Sequence, residues 1–223
     1  MDGGVHGSSG RSVTALDYIR EPEAIYEHSF ATIAGLPELA RWRNDAKEVA
    51  TRVVHACGMP DAADDLRISA KAIEVGRRAL GEGVDIFLDV ESLRPGIMRH
   101  LLPRATQMHC AVFDERTRDH ARAHGMTRSA AQIDLWGERL KGQIVVIGNA
   151  PTALFRLLER IDDGLAPPAL VIAFPVGFVG AAESKDALVQ NPRGLEYVTL
   201  LGRRGGTAMA QAAMNAIAGG LGR

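Results

Sequence analysis

The chain has 223 residues, 46% of them hydrophobic and 24% charged, enough for one domain with a full core and too few for two. A formal net charge of −1 lacks the basic surplus that nucleic acid or an anionic membrane surface demands, so a small molecule is the expected partner. The two cysteines, Cys57 and Cys110, form no C-x-x-C, and no run of about 18 apolar residues exists, which argues against a disulfide framework, secretion and membrane insertion; a reducing cytoplasm is the expected setting.

Residues 1–16 are expected to be a disordered leader, because Met1–Ser12 is rich in Gly and Ser and has no period, and the domain is expected over 17–223. Pro22 suits the first turn of a helix on which Ile25, Ser29 and Ile33 share one side. Ser29 is then a polar residue within an apolar stripe, explained most simply as a small packing residue whose hydroxyl bonds the preceding turn. From Pro37 to Cys57 the residues Ala46, Val49, Ala50, Val53, Val54 and Cys57 keep the 3.6-residue rhythm, and Gly58 with Pro60 stops it. His55 sits in the last turn, where exposed carbonyl dipoles favour imidazolium and suit it to donate a proton; a solvated histidine that merely aids the helix end is the alternative.

A shorter helix is expected over Ser69–Gly81, then a first strand over Val84–Val90. Asp89 lies near that strand's carboxyl end, where open sheets place ligand residues, or else caps the next turn. Gln107–Phe113 reads as a second strand, Asp114–Gly125 as a polar helix, and Thr127–Leu140 as a helix with Arg128 at its entry. An arginine there opposes the helix dipole, which makes sense beside an acidic ligand or in a surface salt bridge.

The stretch from Gln143 to Leu158 reads as strand, tight turn and helix. Ile144–Ile147 is wholly apolar and branched, as in a strand covered on both faces. Gly148-Asn149-Ala150-Pro151 then allows close backbone approach, and its N–H groups form a floor for an anionic or polar part of a ligand, unless the turn is purely structural. Pro168–Phe174 and Glu196–Leu201 give two more strands, the first running into the glycine-rich Pro175–Lys185 and the second into Gly202–Gly206 and an alanine-rich helix ending near Ile217. Strand, turn and helix alternate five times, which implies a mostly parallel five-stranded α/β sheet with its turns along one edge.

Neither G-x-G-x-x-G after a strand nor G-x-x-x-x-G-K-[ST] occurs, which disfavours a nucleotide enzyme, and no G-x-S-x-G offers a nucleophilic serine. The seven histidines are scattered and no Asp or Glu cluster accompanies them, so no metal is expected. What remains is one histidine at a helix end, several backbone turns, and Arg128, Arg203 and Arg204. These suit a large polycarboxylate that needs positioning plus one proton.

Asp17-Tyr-Ile-Arg with Ser29-Phe30, Val54-His-Ala-Cys-Gly58, Thr127-Arg-Ser-Ala-Ala131, Ile147-Gly-Asn-Ala-Pro-Thr-Ala-Leu-Phe155, Pro175-Val-Gly-Phe-Val-Gly-Ala-Ala-Glu-Ser-Lys185 and Gly202-Arg-Arg-Gly-Gly206 resemble the precorrin-8X methylmutase family of cobalamin biosynthesis. The likeness runs from about Asp17 to Ile217. It implies a three-layer α/β/α flavodoxin-like fold, a homodimer with active sites near the subunit interface, no bound cofactor, and an isomerisation that moves a methyl group from C11 to C12 of a tetrapyrrole to give hydrogenobyrinic acid. By the same resemblance His55 is the proton donor and Ser29 and Arg128 line the substrate pocket. The N–H groups at Gly148, Asn149, Ala150 and Gly177 would meet substrate carboxylates. Asp89 falls in a block that in the family reads Asp-x-x-Met-Val and here continues Val-Glu-Ser-Leu, so the resemblance gives Glu91–Leu93 no role. Two other readings share these features: the cobalt-precorrin-8 methylmutase of the anaerobic branch, and a corrinoid carrier that performs no chemistry. The wording Val54-His-Ala-Cys-Gly58 is nearer the metal-free branch.

Overall fold

The computed structural model describes residues 16–219; apart from Leu16, the leader expected over 1–16 lies outside the described residues. In chain order the helices and strands are α1 (Pro22–Ala34), α2 (Asn44–Cys57), the single turn α3 (Ala62–Asp65), β1 (Leu66–Ile68), α4 (Ala72–Gly81), β2 (Ile86–Leu88), β3 (Met108–His109), α5 (Glu115–His124), α6 (Arg128–Trp136), β4 (Ile144–Ile147), α7 (Pro151–Asp162), β5 (Leu170–Ala173), α8 (Ala181–Gln190), β6 (Tyr197–Leu200) and α9 (Thr207–Ala218).

The strands lie in the order β1-β6-β5-β4-β2-β3, and every neighbouring pair is parallel except β1 with β6. The five parallel strands, numbered among themselves, run 2-1-3-4-5, the flavodoxin-like order. The expected five-stranded sheet therefore gains a sixth, antiparallel edge strand. Leu66-Arg67-Ile68 is too short to show a period, and only Leu66 is fully buried. What holds it is not its pattern but its neighbour: Ser69 N–H donates to the Tyr197 carbonyl at 2.9 Å, and Ser69 Oγ donates to Glu196 at 2.5 Å.

Burial on both faces explains the apolar run of β4. Ile144 and Val146 pack with α2, α4 and α9, while Val145 and Ile147 pack with α6, α7 and α8. The result is three layers with a core on each side of the sheet. Within that frame the expected Val84–Val90 and Gln107–Phe113 strands shrink to three and two residues. The side chain of Asp85 accepts from Gln107 N–H at 2.9 Å and meets His109 Nε2 at 2.8 Å, so a side chain closes the amino end of this pair.

Candidate active site

The order of the parallel strands reverses between β2 and β4, and doubly wound sheets bind ligands in the crevice at the carboxyl ends of such strands. Asp89 follows β2 there, and Gly148-Asn149-Ala150 follows β4. The Asp89 carboxylate is fully buried and accepts N–H bonds from Gly148 at 2.8 Å, Asn149 at 3.1 Å and Ala150 at 2.7 Å. Burial pushes this carboxyl up to about 6 even against the downward pull of the three donors. The turn thus binds an anion as expected, but the anion is the chain's own. That corrects the expectation of a free floor: the N–H groups of Gly148, Asn149 and Ala150 are taken up by Asp89, which is itself buried. Gly177 is corrected likewise, since its N–H donates to the Arg203 carbonyl at 3.2 Å. The glycine at 148 answers a close approach: a Cβ there would lie 2.8 Å from Leu93 Cδ2 and 3.0 Å from Thr207 Cα.

Two of the open cavities formed by the described residues hold sequence-derived candidates. The first forms where α1 crosses the end of α2. Gly58 ends α2 in the left-handed conformation at φ 67°, leaving His55 exposed in the last turn. Its Nδ1 lies 2.9 Å from Ser29 Oγ on α1, and Phe30 and Tyr26, stacked on each other, stand 4.9 and 5.9 Å from its ring. Ser29 therefore bonds across helices and does not turn back on its own. Nε2 has no hydrogen-bond partner among the described residues, so the Ser29 contact orients the ring and leaves one nitrogen for chemistry. The cavity beside it, about 280 Å³, is lined by Tyr26, Phe30, Arg52, His55, Met98 and Gln211 among others. Sequence reasoning passed over Arg52, although its position three residues before His55 puts both on one helix face. Its Nε is 3.6 Å from Glu48, and its guanidinium lies 5.5 Å from the Phe30 ring.

The second cavity, about 450 Å³, is lined by Glu91, Ser92, Phe113, Arg128, Ser129 and Asn149 among others. Thr127 caps α6 by accepting the Ala130 N–H at 3.2 Å, which sets Arg128 at the first helical position. Arg128 is exposed, 5.5 Å from the ring of Phe113, and pairs with no carboxylate among the described residues; the surface salt bridge considered for it is not there. Arg203 similarly lies over Phe178 at 5.6 Å. Arg204, by contrast, is spent on Asp61 and Asp65, both at 2.7 Å, and is not free for a ligand.

Between the cavities stands Glu91–Gly96, the segment to which the resemblance gave no role. Two amides one turn apart on α9 hold it: Gln211 donates to the Ser92 and Leu93 carbonyls at 2.8 and 3.1 Å, and Asn215 bonds Met98 N–H and the Gly96 carbonyl at 2.9 and 2.8 Å. A Cβ on Gly96 would come within 2.2 Å of the Gln211 side chain, so a larger residue there would displace the Gln211 amide from the wall. The sequence-derived candidates are thus divided, with His55 and Ser29 on one side of this wall and Arg128 and Asn149 on the other. No cluster of metal-ligating side chains occurs among the described residues, and no described helix is long and apolar enough to cross a membrane.

Fold and site together define a doubly wound α/β protein with a divided, arginine-bearing cleft at its switch point. A family model described as precorrin-8X methylmutase matches residues 24–219. The precorrin-8X methylmutase of Pseudomonas aeruginosa is 50% identical over 91% of this chain and 98% of its own, and that of a Sinorhizobium species is 46% identical over 91% and 96%. The cobalt-precorrin-8 methylmutase of Salmonella typhimurium is 37% identical over 91% and 97%. The solved precorrin-8X methylmutase of Thermus thermophilus superposes with a TM-score of 0.77 at 32% identity, covering 88% of this chain and 94% of that one. The chain belongs to the precorrin-8X methylmutase family, whose members are isomerases.

Proposed function

We propose that this protein moves the methyl group of precorrin-8X from C11 to C12, giving hydrogenobyrinic acid, with His55 as the proton donor. The observation that carries the reading is the Ser29–His55 pair at 2.9 Å on the rim of a cavity that also contains Arg52. The bond to C11 breaks as the bond to C12 forms, and substrate and product have the same composition. The proton lent by His55 to the macrocycle is therefore returned by the end of the cycle, and no other reactant is needed. The protein's part is to orient the ring, supply that proton and exclude water. Arg52 and Arg128 would bind acetate and propionate side chains as charge-assisted pairs.

Neither cavity is large enough to enclose a whole tetrapyrrole. The site would be completed by a second copy of the chain, consistent with a rim that leaves Phe113, Phe178 and Val179 exposed at 72%, 86% and 88%. A homodimer in solution by light scattering is the expected result. The higher identity to the two precorrin-8X enzymes than to the cobalt-precorrin-8 enzyme favours the metal-free substrate. The test is to follow isotope-labelled methyl by NMR while the protein is given metal-free and cobalt-containing substrate. Label appearing at C12 in the metal-free reaction is the expected outcome; binding with no transfer would identify a carrier instead.

A further inference from the structure

The second cavity is assembled from chain segments that are distant in sequence, and two buried polar side chains join them. Gln132 is fully buried on α6, one turn beyond Arg128. Its amide Nε2 donates to the Asp89 carbonyl at 2.7 Å, and its Oε1 accepts the Ala111 N–H at 3.0 Å. Asp89 in turn holds the N–H groups of Gly148, Asn149 and Ala150. Each segment tied in this way delivers a different part of the cavity: the 111–113 loop brings Phe113, α6 brings Arg128 and Ser129, and the turn after β4 brings Asn149.

We propose that Gln132 and Asp89 are positioning residues for substrate binding, holding Arg128, Phe113 and Asn149 in one arrangement that receives a carboxylate-bearing edge of the macrocycle. An apolar side chain could fill the volume of Gln132 equally well. Only a donor and acceptor at fixed points set the separation of three backbones, and a buried hydrogen-bonded network specifies that separation tightly. Arg128 has no carboxylate of its own to orient it, so its direction depends on the register of α6, which Gln132 fixes. The inference rests on the proposed role of Arg128 in binding.

The experiment compares the full-length wild type, Gln132→Met, Arg128→Ala and the double variant by steady-state turnover of metal-free precorrin-8X. Gln132→Met keeps the length of the side chain and removes both amide bonds. The expected result is a KM raised about tenfold in Gln132→Met with kcat changed less than about twofold, and little further rise when Gln132→Met is added to Arg128→Ala, because both act on one contact. A raised KM in Arg128→Ala with a wild-type KM in Gln132→Met would overturn the positioning role alone. So would two effects that multiply in full. A wild-type KM in Arg128→Ala would remove the binding reading and this inference together. Should Gln132→Met fail to fold, Gln132→Glu, which keeps the acceptor for Ala111 and loses the donor to Asp89, is judged by the same outcomes.

Discussion

Lys185 is the least expected group in the structure, a fully buried ammonium in the first turn or so of α8 with no carboxylate within ion-pair distance among the described residues. Its Nζ donates to the Pro175 carbonyl at 3.0 Å and the Arg204 carbonyl at 2.6 Å, tying together the two loops that carry Phe178 and Arg203. Burial lowers its pKa from 10.5 to about 8. Between those values the unfolded chain holds a proton that the folded protein has released, so stability rises with pH across that window. The gap corresponds to about 3 kcal/mol at roughly 1.4 kcal/mol per pH unit, and the neutral amine still donates to both carbonyls. Other groups also titrate in alkali, so the measurement is a difference: urea unfolding of wild type and Lys185→Met, from neutral pH to about pH 10.5. The wild type should gain about 3 kcal/mol on the variant over that range. Stability curves that stay parallel would refute the reasoning.

Asp89 behaves in the opposite sense: its folded carboxyl is raised from 3.8 to about 6, so between these values the folded form binds the extra proton and acid favours folding. Against Asp89→Asn, the wild type should therefore lose up to about 3 kcal/mol as pH rises through that window in urea titrations, and no divergence would count against the assignment. Gly148→Ala should cost about 1–3 kcal/mol in unfolding free energy, since the new methyl group meets Leu93 and the Thr207 backbone; unchanged stability would show that the wall yields freely. Ser29→Ala removes the hydrogen bond that orients His55 among the described residues and should lower kcat about threefold to tenfold with the fold intact, as judged by circular dichroism and turnover.

The parts of this fold that sequence shows are those written in local periodicity. Ile144–Ile147 displays burial on both faces, and α2 carries an apolar rhythm that Gly58 ends. β1 was hidden because three residues, Leu66–Ile68, cannot show a period and their partner β6 lies more than a hundred residues away. The same distance obscured the site. Asp89 and the Gly148–Ala150 turn were each visible as features of a sheet edge, yet nothing local shows that one satisfies the other across 59 to 61 residues. The free N–H floor was a sound inference about the turn and wrong about what occupies it. Ser29 stood out as polar in an apolar stripe, and its partner His55 stood out at a helix end, but only the crossing of α1 over α2 makes them a pair. Arg52 carried a readable signal in its spacing from His55. Gln211 and Asn215 did not, because amides in an alanine-rich helix look like solubilising residues until the Glu91–Gly96 wall is seen against them.

The role of His55 is tested most directly by giving metal-free precorrin-8X to purified, folded His55→Ala and following the absorption spectrum over many wild-type turnover times. Retained binding with no conversion to the corrin chromophore is the predicted result. Conversion at the wild-type rate would contradict the account, since the proton would then come from a group other than His55.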